Sequence, residues 1–318
     1  MMQLAGGRQI RFSNDLFQAV RSIEADQLAS GEIPNYRRLE NRGWEYYFSP
    51  LVSAYVAEAL AVFDPTSHWF DSFVVEQTGE RRRFEVSRTA ADIRRRIQRF
   101  VTWQQSADDT WRFLGRGSSL PPDLDTTACC ALVLLDRISV NHEASAGRTE
   151  RVLRGFRGRG ESPAGQERDQ WRAWVAEINA FRLTALAGGL GLSPARLVQR
   201  FQVAEGIPGA PVLYALGRAW RQCGLREFEP FIPGWVESLL RTQTKEGCFG
   251  GPLHTAMGLT ALMDFGHDGE EVLNAAGWLS GWMTSPHTPK TEELYNSLCG
   301  SPTLTAAVTA SALARAYL

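Results

Sequence analysis

Five apolar segments of this chain begin alike: Pro50-x-x-Ser53-Ala54, Leu124-x-x-Thr127-Ala128, Pro211-x-x-Tyr214-Ala215, Pro252-x-x-Thr255-Ala256 and Pro302-x-x-Thr305-Ala306. Proline suits the first turn of a helix, where its φ is already correct and its missing N–H would have had no partner. A hydroxyl one turn later, followed by Ala or Gly at close spacing, suits helices that pack tightly side by side. The stretch around Asn179-Ala180 makes an imperfect sixth member. Amphipathic segments stand between the apolar ones, at Pro194 to Ala204, Pro233 to Gln243 and Glu270 to Trp282. Like inner helices alternating with outer ones do not build a doubly wound sheet; they predict a closed ring of helical hairpins. Because the repeat aligns the inner starts, the inner N-termini share one end. Asp123, Asp125, Tyr214 and His254 then fall near one mouth.

The rest of the chain fits around that ring. Phe12 to Leu28 and Ala91 to Ser106 have helical periodicity, and Asp169 to Ala187 turns Trp171, Trp174, Val175, Ile178 and Phe181 to one side. Phe73 to Val86 carries β-branched and aromatic residues on either side of Thr78-Gly79 and reads as a small β-hairpin excursion within residues 70–90. Asn141 to Gln166 is polar, glycine-rich and basic, and reads as a flexible loop. With 318 residues and 44% hydrophobic composition, a single domain can bury a substantial core. A formal net charge of −1 gives no global reason to bind nucleic acid or an anionic membrane. Five cysteines without a Cys-x-x-Cys favour a reducing compartment. No segment has the length of a membrane span and the first residues lack a signal-peptide core, so the expected setting is cytoplasmic.

Chemistry concentrates where Pro121-Pro122-Asp123-Leu124-Asp125-Thr126-Thr127 meets the longest apolar run, Ala128 to Leu135. One reading is plain helix capping, for which Asp and Thr are ordinary residues. The other is acid chemistry. Two carboxyls two residues apart, in a turn entering the core, each raise the cost of ionising the other, so one can hold a proton.

These residues resemble the class II terpene cyclases related to squalene-hopene cyclase, in their single-domain form. Asp123-Leu124-Asp125-Thr126-Thr127 is similar to the family's Asp-x-Asp-Asp-Thr motif in an Asp-x-Asp-Thr-Thr variant. Trp103-Gln104-Gln105 to Trp111, and Leu239-Leu240-Arg241-Thr242-Gln243 to Gly247-Cys248-Phe249-Gly250, resemble its Gln-Trp repeats, with Phe249 in the tryptophan place. The resemblance implies an all-α fold, an (α/α)6 barrel of six inner and six outer helices. It implies that Asp125 protonates a terminal alkene or epoxide of a polyprenyl chain, with Asp123 as its hydrogen-bonded neighbour. Thr126 stands where many members carry a third acid. Carbocations formed this way need π faces and a dry chamber, and each aromatic face supplies about 0.5 to 2 kcal/mol of attraction. Trp44, Tyr46, Tyr47, Phe181 and Tyr214 are the candidate wall, with His254 as a further substrate contact. The expected partner is a small isoprenoid or a prenylated aromatic compound, with Arg116, Arg182 and Arg218 available to an anionic head. No nucleic acid or transmembrane segment is expected, and nothing in the sequence sets the oligomeric state. No cofactor or metal is expected, because the chain has neither Asp-Asp-x-x-Asp nor His-x-x-x-His. Magnesium enters only if the substrate is a diphosphate.

Two other readings stay open. His254-Thr255-Ala256 after Gly250-Gly251-Pro252-Leu253 also resembles the zinc-ligand helix of protein prenyltransferase β subunits, although Asp123-x-Asp125 lacks their thiolate. A non-catalytic ring that binds a lipid or a partner protein would carry the same acids as caps.

Overall fold

A computed structural model of the chain describes residues 6–39, 43–64, 77–135, 167–186, 209–284 and 299–316. In chain order the elements are α1 (Gly6–Asp26), β1 (Tyr36–Leu39), β2 (Gly43–Tyr46), α2 (Pro50–Ala59), α3 (Gln77–Trp103) and α4 (Leu124–Leu135). They continue with α5 (Glu167–Leu186), α6 (Ala210–Cys223), α7 (Ile232–Thr242), α8 (Pro252–Asp264), α9 (Glu270–Thr284), β3 (Cys299–Gly300) and α10 (Pro302–Ala316).

The repeated segments are the inner ring. Helix α2 packs on α4, α4 on α5, α5 on α6, α6 on α8 and α8 on α10, and α10 returns to α2, which closes the circle. Proline occupies the first turn of α2, α6 and α8, as the repeat predicts. Small residues then allow close approach. A Cβ on Gly217 of α6 would meet Asp264 Cβ on α8 at 2.9 Å, so only glycine leaves room there. Helices α1, α3 and α9 pack on the outside of this ring. Arg221, Asp264 and Arg315, in the last turns of α6, α8 and α10, meet one another. Those three helices therefore end at one level and begin at the other end.

The β structure is not where the sequence suggested. Residues 77–86 belong to α3, because Gln77 to Arg83 is rich in good helix formers and Thr78-Gly79 starts a helix instead of turning a hairpin. The hairpin is β1–β2, paired antiparallel with Tyr36 opposite Tyr46, and β3 adds to β1 with Tyr36 opposite Gly300. This small sheet lies at the mouth of the ring, since β2 leads into α2 and β3 into α10. The Asn141 to Gln166 loop and the Pro194 to Ala204 helix lie outside the described residues.

The two Gln-Trp-like stretches form the same turn. Ser106 N–H donates to Thr110 O (2.9 Å) and Thr244 N–H to Cys248 O (2.8 Å), with Asp109 (φ 61°) and Gly247 (φ 96°) in equivalent left-handed positions. Each turn hands its aromatic residue to an inner-helix threonine. Thr127 Oγ1 accepts from Trp111 N–H (3.1 Å) and donates to Trp111 O (3.1 Å), and Thr255 Oγ1 accepts from Phe249 N–H (3.0 Å). In α4 and α8 the repeated hydroxyl thus pins an outer turn to an inner helix, whereas the Tyr214 hydroxyl accepts from Arg218 and Thr305 donates to Ser301 O. Thr127→Val keeps the shape but strands the buried Trp111 N–H, while the Trp111 carbonyl keeps Asp123 N–H (3.3 Å), and is expected to cost about 1 to 3 kcal/mol in denaturant unfolding. An unchanged midpoint would refute the pinning role.

Candidate active site

Asp123 and Asp125 have different fates. Asp123 is the cap of α4: its Oδ1 accepts from Thr126 N–H (2.9 Å) and its backbone carbonyl accepts from Thr127 N–H (3.1 Å). Asp125, one residue into the helix, turns inward and is 2% exposed. Thr126 is fully buried behind it. The cap reading therefore holds for the first acid, and the second is the inward-facing one.

A polar chain leads from Asp125 into the ring. The Cys129 thiol donates to Asp125 Oδ1 (3.6 Å), and Asn179 Nδ2 on α5 donates to Cys129 Sγ (3.3 Å). Arg182 Nη1, one turn along α5, donates to Asn179 Oδ1 (3.0 Å). The direction of the chain is set at its arginine end. Arg has donors only, so Asn179 must present its oxygen to Arg182 and its NH₂ to Cys129. Burial pushes the Cys129 thiol well up, and the neighbouring Asp125 carboxyl adds to that, so Cys129 keeps its proton. That proton points to Asp125 Oδ1.

Arg182 is itself held by Glu58 on α2 and by Gln222 on α6, the latter at 2.7 and 3.1 Å. Arg218 on α6 pairs with the same Glu58 at 2.9 Å and donates to the Tyr214 hydroxyl. Burial raises the Glu58 carboxyl, but the Arg182 and Arg218 guanidiniums outweigh it and hold the group below 4.5. Sequence reasoning offered Arg182 and Arg218 to an anionic head group, but both are already engaged by one internal carboxylate, Glu58. Arg116 alone of the three is exposed. Glu58 went unnoticed, although a single acid in the apolar run Pro50–Ala59 was a legible signal.

The aromatic candidates divide. Phe181 and Tyr214 are buried on α5 and α6, and Tyr47, just before α2, packs on Phe113 with ring centroids 5.6 Å apart. Tyr46 is 46% exposed, with its hydroxyl 3.0 Å from both oxygens of Glu32. The Trp44 side chain lies outside the described residues. His254, half-buried in the first turn of α8, is held below its ordinary value by burial. Among the described residues no group of three or more His, Cys, Asp or Glu side chains could hold a metal ion, and no helix is long and apolar enough to cross a membrane.

Glu32, beside the small sheet at the mouth, is an acid whose titration is shifted. Burial pushes it up to about 7, against the lowering effect of the Tyr46 hydroxyl. The native state thus holds this proton more tightly than the unfolded chain does. Its stabilising contribution is complete below 4.5 and is lost as pH rises through about 7. Glu32→Gln should therefore flatten the decline in melting temperature between pH 5 and 8, as read by thermal unfolding at roughly those two values. A decline as steep as in the parent would refute the assignment.

No protein-family model matches the chain, and no curated protein matches it by sequence. Solved structures do. The type II terpene cyclase MstE from Scytonema, in its apo form, is 14% identical with a TM-score of 0.61, over 97% of this chain and 99% of that one. A variant of MstE in complex with its substrate geranylgeranyl dihydroxybenzoate gives 13% identity and 0.63, over 98% and 99%. Another, in complex with the product merosterolic acid A, gives 14% and 0.59, over 99% of each chain. Across nearly its whole length, the chain has the helical-ring fold seen in these type II terpene cyclase structures.

Proposed function

We propose that the protein is a class II, protonation-initiated terpene or meroterpenoid cyclase. The observation that carries this reading is the buried Asp125 carboxyl at the head of an inner helix. Its Oδ1 is engaged by a neutral thiol, and the ring around it has the fold of terpene cyclases.

In the proposed reaction, the Asp125 carboxyl gives its proton to the terminal alkene of a polyprenyl chain. The alkene π pair forms the new C–H bond and leaves a tertiary cation; successive alkenes attack it, each forming a C–C bond and passing the charge along. The last cation loses a proton, so product and substrate have the same mass. Phe181 is the proposed π face, worth about 0.5 to 2 kcal/mol to a passing cation, whereas the Tyr214 ring already meets the Arg218 guanidinium, 5.1 Å from its centroid. Protonating an alkene is uphill, and a donor held in one orientation with water kept out lowers that barrier. Asp123 serves this chemistry by holding the first turn of α4.

The proposed substrate is a prenylated aromatic acid or a prenyl diphosphate. Its head stays at the mouth near Arg116, because Arg182 and Arg218 are engaged by Glu58. Proton transfer from Asp125 needs no metal; magnesium would accompany only a diphosphate. The test is incubation of purified protein with geranylgeranyl hydroxybenzoates and with farnesyl and geranylgeranyl diphosphates, without added metal, followed by mass spectrometry. New isomers of unchanged mass support the proposal. Binding of these lipids without any product would make the protein a lipid-binding ring.

A further inference from the structure

Helices α2 and α6 stand on opposite sides of the ring: α2 touches α4 and α10, whereas α6 touches α5 and α8. Yet Glu58 on α2 is bonded to Arg218 on α6 and to Arg182 on α5. These three side chains therefore meet in the lumen itself and cross it from wall to wall. Thr260 on α8 and Ala310 on α10 stand the same number of residues from their helix starts as Glu58 does, and neither is long enough to reach the axis. Among the described residues, these three are the charged side chains bonded across the ring from α2 to α5 and α6.

The two sides of this layer differ. Toward the mouth, Arg182 bonds to Asn179, which is buried and leads to Cys129 and Asp125. Toward the far end, it bonds to Gln222, which is exposed. The Arg182 side chain is 3% exposed, while those of Glu58 and Arg218 are 13% and 12% exposed. The layer thus stands between the polar chain that leads to Asp125 and the end of the ring where Arg221, Asp264 and Arg315 meet. It lies about 12 Å along α2 from Pro50, at 1.5 Å per residue.

We infer that Glu58, Arg182 and Arg218 form a seal across the barrel that keeps water at the far end of the ring from reaching Asp125. As a barrier, the layer stands on this geometry alone. Its purpose, sparing a carbocation from capture, rests on the cyclase reading. Where the seal is open, water's lone pair forms a C–O bond to the cation, and the oxonium gives a proton to solvent. The product is then an alcohol, heavier than the substrate by one water.

The test compares two triple variants. Glu58→Ala with Arg182→Ala and Arg218→Ala empties the layer. Glu58→Leu with Arg182→Met and Arg218→Met refills it with apolar bulk, a kind of exchange that buried ion clusters tolerate. The first readout is the rate at which a small methylthiolating reagent modifies Cys129, located by peptide mass mapping. This readout needs no catalysis. Emptying the layer should speed labelling by roughly tenfold or more, and refilling it should restore the slow rate of the parent. A folded alanine variant in which Cys129 reacts no faster than in the parent overturns the seal. If that variant does not fold, Arg218→Ala alone, which keeps Glu58 paired with Arg182, is judged by the same criterion. The second readout is uptake of heavy oxygen from labelled water into the product, expected only with the emptied layer. Faster labelling in a protein that never makes product would uphold the seal and sink the cyclase proposal.

Discussion

With Asp125→Asn, polyprenyl substrates should bind as tightly as to the parent protein while cyclised product disappears. The substitution keeps the size of the side chain and its contact with Cys129 but removes the only proton the mechanism uses. General acids ordinarily contribute about 10²- to 10⁴-fold to rate, and an alkene has no route around this step, so the loss should reach the top of that range or exceed it. Single-turnover assays paired with binding measurements will check this. Residual turnover within tenfold of the parent would move the proton donor elsewhere. Asp123→Asn is the useful contrast, because Asn caps a helix about as well as Asp. Its stability should be unchanged, so any loss of turnover would reveal a chemical role beyond the cap.

Glu58→Ala should be the most damaging single substitution for stability. It leaves the guanidiniums of Arg182 and Arg218 buried and without their shared carboxylate. Removing one member of a buried charge cluster typically costs about 3 to 5 kcal/mol, a large share of the total stability of a domain. Equilibrium unfolding in urea measures it, and a loss under about 1 kcal/mol would mean that water already solvates the layer. The pH dependence gives an independent check. The folded Glu58 carboxyl titrates below 4.5, so its contribution is present above that value and is lost as pH falls through the lower folded value. The variant should lack this acid-side loss.

The ring was legible because similar physical demands recur in several inner helices. Proline at the first turn, a hydroxyl that pins an outer turn, and small residues where helices meet are local needs visible in local sequence. Helix α6 begins at Ala210 and α8 at Pro252, within one residue of the prolines that open their repeats. The hairpin was misplaced because Phe73 to Val86 mixes β-formers with a helix-forming run, and tertiary context decided for the helix. The inward acid stood out because two carboxyls stand two residues apart in a turn entering the core, where one is enough for a cap. The layer beneath it did not, since Glu58 lies 124 residues before Arg182 and farther still from Arg218, and the three acquire meaning only when the ring closes. Tyr46 illustrates the same limit. An aromatic cluster announces burial, but the register of β2 put this ring at the surface beside Glu32.

The small sheet at the mouth carries a kinetic consequence. Strand β1, near the start, pairs with β3, immediately before the final inner helix, and Thr303 of α10 donates to Asp26 at the end of α1 (2.9 Å). These contacts fasten the seam between α2 and α10, the one place where the ring joins its first inner helix to its last. Until α10 has been synthesised, every earlier intermediate is an open arc with an unsatisfied apolar flank on α2. Contacts of such long sequence separation form slowly, because the loop must close before any contact rewards it. The nascent arc is thus the species most exposed to aggregation and most in need of chaperones, and moving the seam by circular permutation is the way to relocate that vulnerability.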